Sequence, residues 1–236
     1  MILNTIETKE DFFNFDHPKI YTILSFFLLI LCLIILFLND KYLRIEILDS
    51  LFYSLSFTSL IVFLISSFFL KFSKEDIKVQ KTGIIKITTD HFIINNYKKI
   101  PFNKILDLKI LIADFEGNFK YTSSDFDSNY SLGTDNYIII KTKNHTIKKQ
   151  IQLNSKRELN LVFNFISNQI VDDKFEKINA KKLVSIFNDD FKKTDKARNY
   201  IANQIKKNTF NTTEGLLMMN YSSDNEAKEL KKKYNL

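Results

Sequence analysis

Two long apolar runs without charges dominate the first third of the chain. Residues 21–38 and residues 51–70 contain no Asp, Glu, Lys or Arg. At about 1.5 Å of rise per helical residue, each run is long enough to cross a hydrocarbon core roughly 30 Å thick. The pattern predicts two transmembrane helices, and the short connection at residues 39–50 makes them adjacent and antiparallel.

Two other interpretations of the apolar runs are disfavoured. A chain of 236 residues is too small to bury two uncharged helices on all sides. A cleaved signal peptide would begin with basic residues and end at a small-residue cleavage site. The first run instead follows an acidic segment, with Glu7, Glu10, Asp11 and Asp16.

Basic residues beside the runs predict how the helices are oriented. The connection between the runs carries only Lys41 and Arg44. The two outer flanks carry a larger set: Lys9, Lys19, Lys71, Lys74, Lys78, Lys81 and Lys86. Because Lys and Arg are enriched on the cytoplasmic side of membrane proteins, both termini are expected in the cytoplasm.

Small residues recur on one side of each predicted helix. Ser56, Ser59 and Ser66 share a face of the second helix, and Ser25 and Cys32 share a face of the first. Small residues let helix backbones approach closely in lipid, so these faces are candidates for the contact between the helices. The alternative is that serine is simply tolerated in a membrane helix and that the pattern marks no contact.

The pattern changes to a period of two after the second run. Alternation predicts strands near residues 83–88, 91–95, 106–112, 137–141 and 147–153. Short turns join them, as at Thr89-Asp90 and at residues 143–145, which indicates a mostly antiparallel sheet. The period then becomes 3.6 over residues 155–171, where Ser155 and Glu158 are spaced as a capping box. A sheet followed by one closing helix is an α+β fold.

The order of these elements resembles a known family. Residues 83–87 and 91–94 supply the first two strands, residues 100–105 the connector into the third, and residues 137–170 the last hairpin and helix. Behind two transmembrane helices, this order is similar to the bacterial pleckstrin-homology-like (PH-like) membrane proteins, over about residues 20–171. The resemblance implies a membrane-anchored α+β protein of the bacterial inner membrane, with an antiparallel PH-like β-sheet closed by one helix. The resemblance does not imply lipid binding by this domain, because the turn between its first two strands, Thr89-Asp90, is short and acidic.

The chain is accordingly divided into four segments. They are an N-terminal cytoplasmic segment (residues 1–19), a transmembrane hairpin (20–70), a PH-like domain with its closing helix (71–171) and a helical C-terminal extension (172–236). The extension is too apolar to be disordered, so it must bury its stripes against the sheet, a second copy of the chain or a partner. Its most apolar patch consists of Leu216, Leu217, Met218 and Met219. The patch is either an adaptable docking surface or part of an ordinary core.

The connection at residues 114–135 is longer than most loops inside compact domains. One interpretation, favoured by that length, is a further hairpin that turns at residues 116–118. The other is a partner-binding loop, because aromatic side chains are good anchors. Its candidate anchors are Phe115, Phe119, Tyr121 and Phe126.

The residue types that commonly carry catalysis are scattered. The three His lie on unrelated elements, the one Cys lies in an apolar run, and four Gly are too few for a glycine-rich phosphate loop. Residues 125–129 begin like a calcium-binding loop, but Tyr130 replaces its essential Gly and Asn136 its final Glu. We therefore expect no enzymatic activity, no cofactor and no metal site.

The net charge of +7 comes almost entirely from lysine, since only three basic residues are arginine. Nucleic-acid readout favours arginine, so no nucleic-acid partner is expected. Four lysines, Lys71, Lys74, Lys78 and Lys81, follow the second helix, where an anionic bilayer surface would attract each by about 1 kcal/mol. The alternative is that the chain is simply rich in lysine, and that the excess of positive charge has no function.

The sequence thus predicts a non-enzymatic interaction or scaffold protein that is anchored in the membrane and presents a cytoplasmic domain. Its expected partners are the lipid bilayer and either a second copy of the chain or another membrane protein. The alternative function is an accessory subunit of a larger membrane transport or export complex, in which the serine faces and the extension would contact other subunits.

Overall fold

The computed structural model describes residues 1–10, 17–121 and 126–236. These residues form an α+β protein with two N-terminal apolar helices, a seven-stranded antiparallel sheet and C-terminal helices. They divide into two compact units. The hairpin unit comprises residues 7–80 and 115–133, and the sheet unit comprises residues 1–6, 81–114 and 134–236.

The hairpin unit contains the two predicted apolar helices, α1 (Pro18–Leu38) and α2 (Glu46–Phe72). Both are long and apolar enough to span a membrane. Helix α1 begins favourably: Pro18 occupies its first turn, and the His17 ring accepts a hydrogen bond from the Lys19 N–H at 3.3 Å. At 21 and 27 residues, the helices are about 32 and 40 Å long.

A buried amide fixes the connection between α1 and α2, which begins with a π-helical turn (Asn39–Leu43). Asn39 is fully buried, and its Nδ2 donates to the Ile45 carbonyl at 2.9 Å and to Asp49 Oδ1 at 2.7 Å. Its Oδ1 accepts from the Ile45 N–H at 3.1 Å. One side chain therefore satisfies polar groups at the start of α2 and sets the tight return of the chain.

A second, two-stranded sheet in the hairpin unit pairs β6 (Glu116–Phe119) with β7 (Tyr130–Leu132). The expectation of a further hairpin within residues 114–135 holds, but the expected turn at residues 116–118 is wrong. Gly117 lies inside β6 with a φ of 80°, at an irregularity in the pairing. A glycine can serve such a bulge as readily as a turn. Residues 122–125 lie outside the described residues.

The large sheet has the order β4-β3-β2-β1-β9-β8-β5. Its strands are β1 (Ile2–Glu10), β2 (Ile77–Ile87), β3 (His91–Ile94), β4 (Lys98–Pro101), β5 (Ile105–Ile112), β8 (Asn136–Thr142) and β9 (Thr146–Ile151). Two of them, β1 and β2, run from one unit into the other. The sheet is open, and its edge strands β4 and β5 follow each other in the chain through a 3-10 turn (Phe102–Lys104).

Strand β1 corrects the prediction that residues 1–19 form a separate N-terminal segment outside the sheet. It lies between β2 and β9, with Thr5 opposite Ile151. On its other side, Met1 and Ile87 exchange two backbone hydrogen bonds of 2.8 Å. The helices α1 and α2 are therefore an insertion between two neighbouring strands of one sheet.

Helix α3 (Lys156–Val171) confirms the predicted amphipathic helix after the last strand. The expectation that it closes the sheet is not met, because the sheet remains open between its edge strands β4 and β5. Its N-cap Ser155 accepts a hydrogen bond from the Glu158 N–H at 3.2 Å. The Glu158 carboxylate reaches one residue further back than in a regular capping box and accepts from the Asn154 N–H at 2.7 Å. The helix buries one stripe, which includes Val162, Ile166 and Ile170.

The C-terminal extension folds onto the sheet, which was one of its three expected positions. Its helices are α4 (Ala180–Val184), α5 (Asp189–Lys192), α6 (Asp195–Lys206), α7 (Thr212–Met218) and α8 (Asp224–Tyr234). The Phe175 ring stacks on Phe102, with centroids 4.6 Å apart. Lys182 pairs with Asp107 of β5 at 3.1 Å. The extension is thus part of the core of the sheet unit.

Candidate functional site

The hairpin exposes its bulky apolar side chains and buries its small polar ones. Phe57 on α2 is 65% exposed and Phe27 on α1 is 63% exposed. The buried positions of the two helices include the small residues that the sequence singled out: Ser25, Cys32, Ser56, Ser59 and Ser66. The serine and cysteine faces therefore lie where the helices are shielded, and the large side chains form the outer surface.

Four hydroxyl groups of the two helices, those of Thr22, Ser25, Thr58 and Ser66, donate to carbonyls of their own helix. Ser25 Oγ donates to the Tyr21 carbonyl at 2.6 Å, and Ser66 Oγ donates to the Phe63 carbonyl at 3.2 Å. Such bonds let serine enter an apolar environment without an orphaned donor. The hydroxyls of Ser56, Ser59 and Ser67 are buried without a hydrogen-bond partner among the described residues.

The lysines after α2 differ in how they are engaged. Lys74 Nζ lies 2.5 Å from Glu116 Oε1, so its charge is compensated within the hairpin unit. The neighbouring Glu75 accepts from Lys120 Nζ at 3.0 Å. Among the other candidate membrane-surface residues, Lys71 is half-buried, and Lys78 and Lys81 are exposed. Lys74 is thus less available to an anionic bilayer than the sequence suggested.

The aromatic candidates of residues 114–135 do not form one surface. Tyr121 is 86% exposed, Phe115 is half-buried, and Phe119 packs edge-on against Tyr130. Phe126 instead contacts the helices. Its ring centroid lies 5.5 Å from that of Phe26 on α1 and 6.4 Å from that of Phe63 on α2.

The four residues of the apolar patch in the extension also differ in how far they are buried. Met219 is fully buried, and Leu216 and Met218 are half-buried. Leu217 is exposed. Of the four candidate contact residues, only Leu217 presents most of its side chain to solvent.

A basic cavity that no sequence pattern predicted lies in the sheet unit. Its volume is about 440 Å³. We call it the basic pocket, and its charged or titratable residues are Lys98, Lys99, Lys104, Lys143, His145 and Lys177. Apolar walls come from Ile100, Pro101, Leu106 and Ile147, and Thr142 and Asn144 complete it. No Asp or Glu is among the described residues that line it.

Three separate segments of the chain carry the basic residues of the pocket. Lys98 and Lys99 lie on edge strand β4, and Lys104 ends the 3-10 turn. Lys143 and His145 lie on the turn between β8 and β9, and Lys177 follows α3. Because the segments are far apart in the chain, no local motif could have revealed the pocket.

Hydrogen bonds and ring stacking hold these segments in place. In the β8–β9 turn, the Thr142 N–H donates to the His145 carbonyl at 2.9 Å, and the His145 N–H donates to Thr142 Oγ1 at 3.3 Å. The stack of Phe102 on Phe175 joins the 3-10 turn to the segment that carries Lys177. The lysine backbones are therefore positioned before any ligand binds.

The basic pocket is not neutralised by nearby acids. None of its five lysines forms an ion pair with a described residue. Asp107 is engaged by Lys182, and Asp90 by Lys174 at 3.1 Å. The hydrogen bond from Lys174 holds the pKa of the Asp90 carboxyl below its ordinary value. Both acids therefore pair with lysines of the C-terminal extension and not with lysines of the pocket.

Comparison with protein-family models, with curated proteins and with solved structures found no match to this chain.

Proposed function

We propose that this protein is a non-enzymatic interaction protein of the bacterial inner membrane, in which the α1–α2 hairpin crosses the bilayer and a PH-like sheet domain faces the cytoplasm. The supporting observation is the distribution of side chains on the hairpin, with bulky apolar groups outside and small polar groups shielded. A core helix of a water-soluble protein has the reverse pattern, since it buries its bulky apolar stripe.

The sheet topology supports the proposal that both ends of the hairpin lie on the same side of the membrane. The chain leaves the sheet after β1, passes through α1 and α2, and returns to the neighbouring strand β2. If the hairpin spans a bilayer, the residues before α1 and after α2 must lie on the same side as the sheet. The excess of lysine in the flanks favours the cytoplasm as that side.

Extraction of isolated membranes tests the anchoring. Alkaline carbonate should leave the chain in the membrane pellet, and a non-ionic detergent should release it. Release by carbonate alone would refute a spanning hairpin.

Cysteine labelling tests the orientation. Cys32→Ala removes the single native thiol. Two exposed positions, Lys41 after α1 and Lys228 on α8, then receive one cysteine each. A membrane-impermeant maleimide should label Lys41→Cys in intact spheroplasts and Lys228→Cys only after lysis. The opposite order of labelling would contradict the orientation.

One observation favours the alternative, an accessory subunit of a larger transport or export complex. The hairpin carries an apolar groove of about 380 Å³, lined by Pro18, Tyr21, Val62, Ile65, Ser66 and Phe69. A transmembrane helix of another subunit would fill such a groove. This function predicts a stoichiometric partner that copurifies in detergent and is lost in Ile65→Trp. A chain that purifies alone and monodisperse would contradict it.

A further inference from the structure

We propose that the basic pocket binds a small organic ligand that carries at least two negative charges on phosphate groups. This inference goes beyond the proposed function and does not depend on it, because the pocket lies wholly within the sheet unit.

The clustering of the lysines is the first argument. Five lysines line one cavity, their like charges repel each other, and the described residues that line it include no acid. Such an arrangement lowers stability unless an anion offsets it. A wall lined by a single sign of charge also focuses the electrostatic field and raises the local concentration of oppositely charged ligands.

The neighbouring acids point the same way. Asp107 lies on the same strand as the pocket residue Leu106, yet it pairs with Lys182. Glu176 precedes Lys177 in the chain but lines a different cavity. The positive charge of the pocket therefore remains available to a ligand.

The chemistry of lysine favours phosphate over carboxylate. Arginine recognises a flat carboxylate through a rigid fork, whereas lysine acts as a compact point charge with three donors. Several lysines around a tetrahedral, multiply charged phosphate can each approach a different oxygen. The pocket contains five lysines and no arginine among its described lining residues.

The size and the walls of the pocket indicate an organic part to the ligand. A volume of about 440 Å³ lies within the range of small-molecule sites and exceeds what one phosphate needs. Ile100, Pro101, Leu106 and Ile147 provide apolar contact for a sugar ring or a glycerol unit. A soluble sugar phosphate and a lipid headgroup with a phosphomonoester share this chemistry.

Titration calorimetry with inorganic pyrophosphate tests the proposal on the full chain in a non-ionic detergent. Wild type should bind pyrophosphate saturably at one site. Lys104→Gln and Lys143→Gln should each weaken binding by about tenfold, the effect of losing one charged hydrogen bond. Both side chains are exposed and unpaired among the described residues, so the fold should tolerate the changes.

A matched control separates a site from general attraction. Lys193→Gln and Lys228→Gln remove the same charge from exposed positions outside the pocket and should leave the affinity unchanged. Equal weakening by pocket and control variants would overturn the proposal. Absence of saturable binding to both pyrophosphate and phosphatidic acid would overturn it as well.

Reconstitution distinguishes the two sources of the ligand. The chain is placed in nanodiscs of phosphatidylcholine with or without phosphatidic acid, and pyrophosphate is titrated. A weaker apparent affinity with phosphatidic acid, and no such effect with phosphatidylglycerol, identifies a lipid phosphomonoester. An unchanged affinity identifies a soluble ligand. Carbonate extraction of membranes remains a separate measurement, so failure of either proposal is recognised independently.

Discussion

Asn136 organises the chain where β5 ends, and its replacement by alanine should destabilise the sheet unit strongly. The side chain is fully buried. Its Oδ1 accepts from the backbone N–H groups of Ala113 at 3.1 Å and Asp114 at 3.0 Å. Its Nδ2 donates to the Asp114 carbonyl at 2.9 Å. In Asn136→Ala, all three backbone groups lose this partner.

The magnitude follows from which of these groups water can reach. Ala113 is exposed, so water replaces its lost partner at a cost of about 1 kcal/mol. Asp114 is buried, and the loss of the Asn136 hydrogen bond at each of its two backbone groups costs about 1 kcal/mol or more. The sum is about 3 kcal/mol. For a chain of this size, that corresponds to a decrease in melting temperature of about 6–12 °C.

Thermal unfolding of the full chain in detergent, followed by circular dichroism, measures this effect. Asn164→Ala is the matched control, because Asn164 is exposed on α3. It should change the melting temperature little, since alanine is a good helix former. Asn136→Asp keeps the acceptor but loses the donor to the Asp114 carbonyl, so it should also destabilise. A melting temperature of Asn136→Ala within about 2 °C of wild type would refute the reasoning.

Three further predictions concern other parts of the chain. Phe102→Ala removes a fully buried, stacked ring and should lower the free energy of unfolding by about 3–5 kcal/mol in a urea titration; a loss below about 1 kcal/mol contradicts this. Phe126→Trp introduces the only Trp of the chain, and its packing against two helix phenylalanines predicts blue-shifted emission rather than the red-shifted emission of an exposed indole. The Ser222 N–H, and then Arg198, lower the pKa of the Glu226 carboxyl. The stabilisation that results is present above the ordinary carboxyl pKa and lost as the pH falls through the lowered value. Glu226→Gln should therefore reduce the fall in melting temperature on acidification, and an unchanged fall would count against this pair.

The hairpin and α3 could be predicted because their signals are local. The sequence shows directly both the uncharged runs that are long enough to cross a membrane and the spacing of Ser155 and Glu158 at the start of α3. The small residues between the helices were also predictable, because their spacing places them on one face. In these elements, the pattern along the chain directly reflects the contacts that form.

Strand β1 and the basic pocket depend on pairing between distant segments. The buried residues of β1 include Leu3, Thr5 and Ile6, which do not alternate regularly. Their burial is set by β2 and β9, whose positions no local pattern gives. The pocket lysines come from three segments and meet only when the edge strands and the β8–β9 turn are in place. Gly117 lies in a bulge and not in the predicted turn, and a glycine alone does not distinguish the two.

The position of β1 has a consequence for how the protein is made. The ribosome synthesises β1 first, but Thr5 pairs with Ile151, which emerges much later. At translation speeds of about 5–20 residues per second, the first strand waits roughly 7–30 s for this partner. Within that interval the apolar helices leave the ribosome and, in the proposed function, enter the membrane. On that proposal, β1 can pair with β9 only after both helices have been synthesised, so the large sheet is completed after the hairpin reaches the membrane.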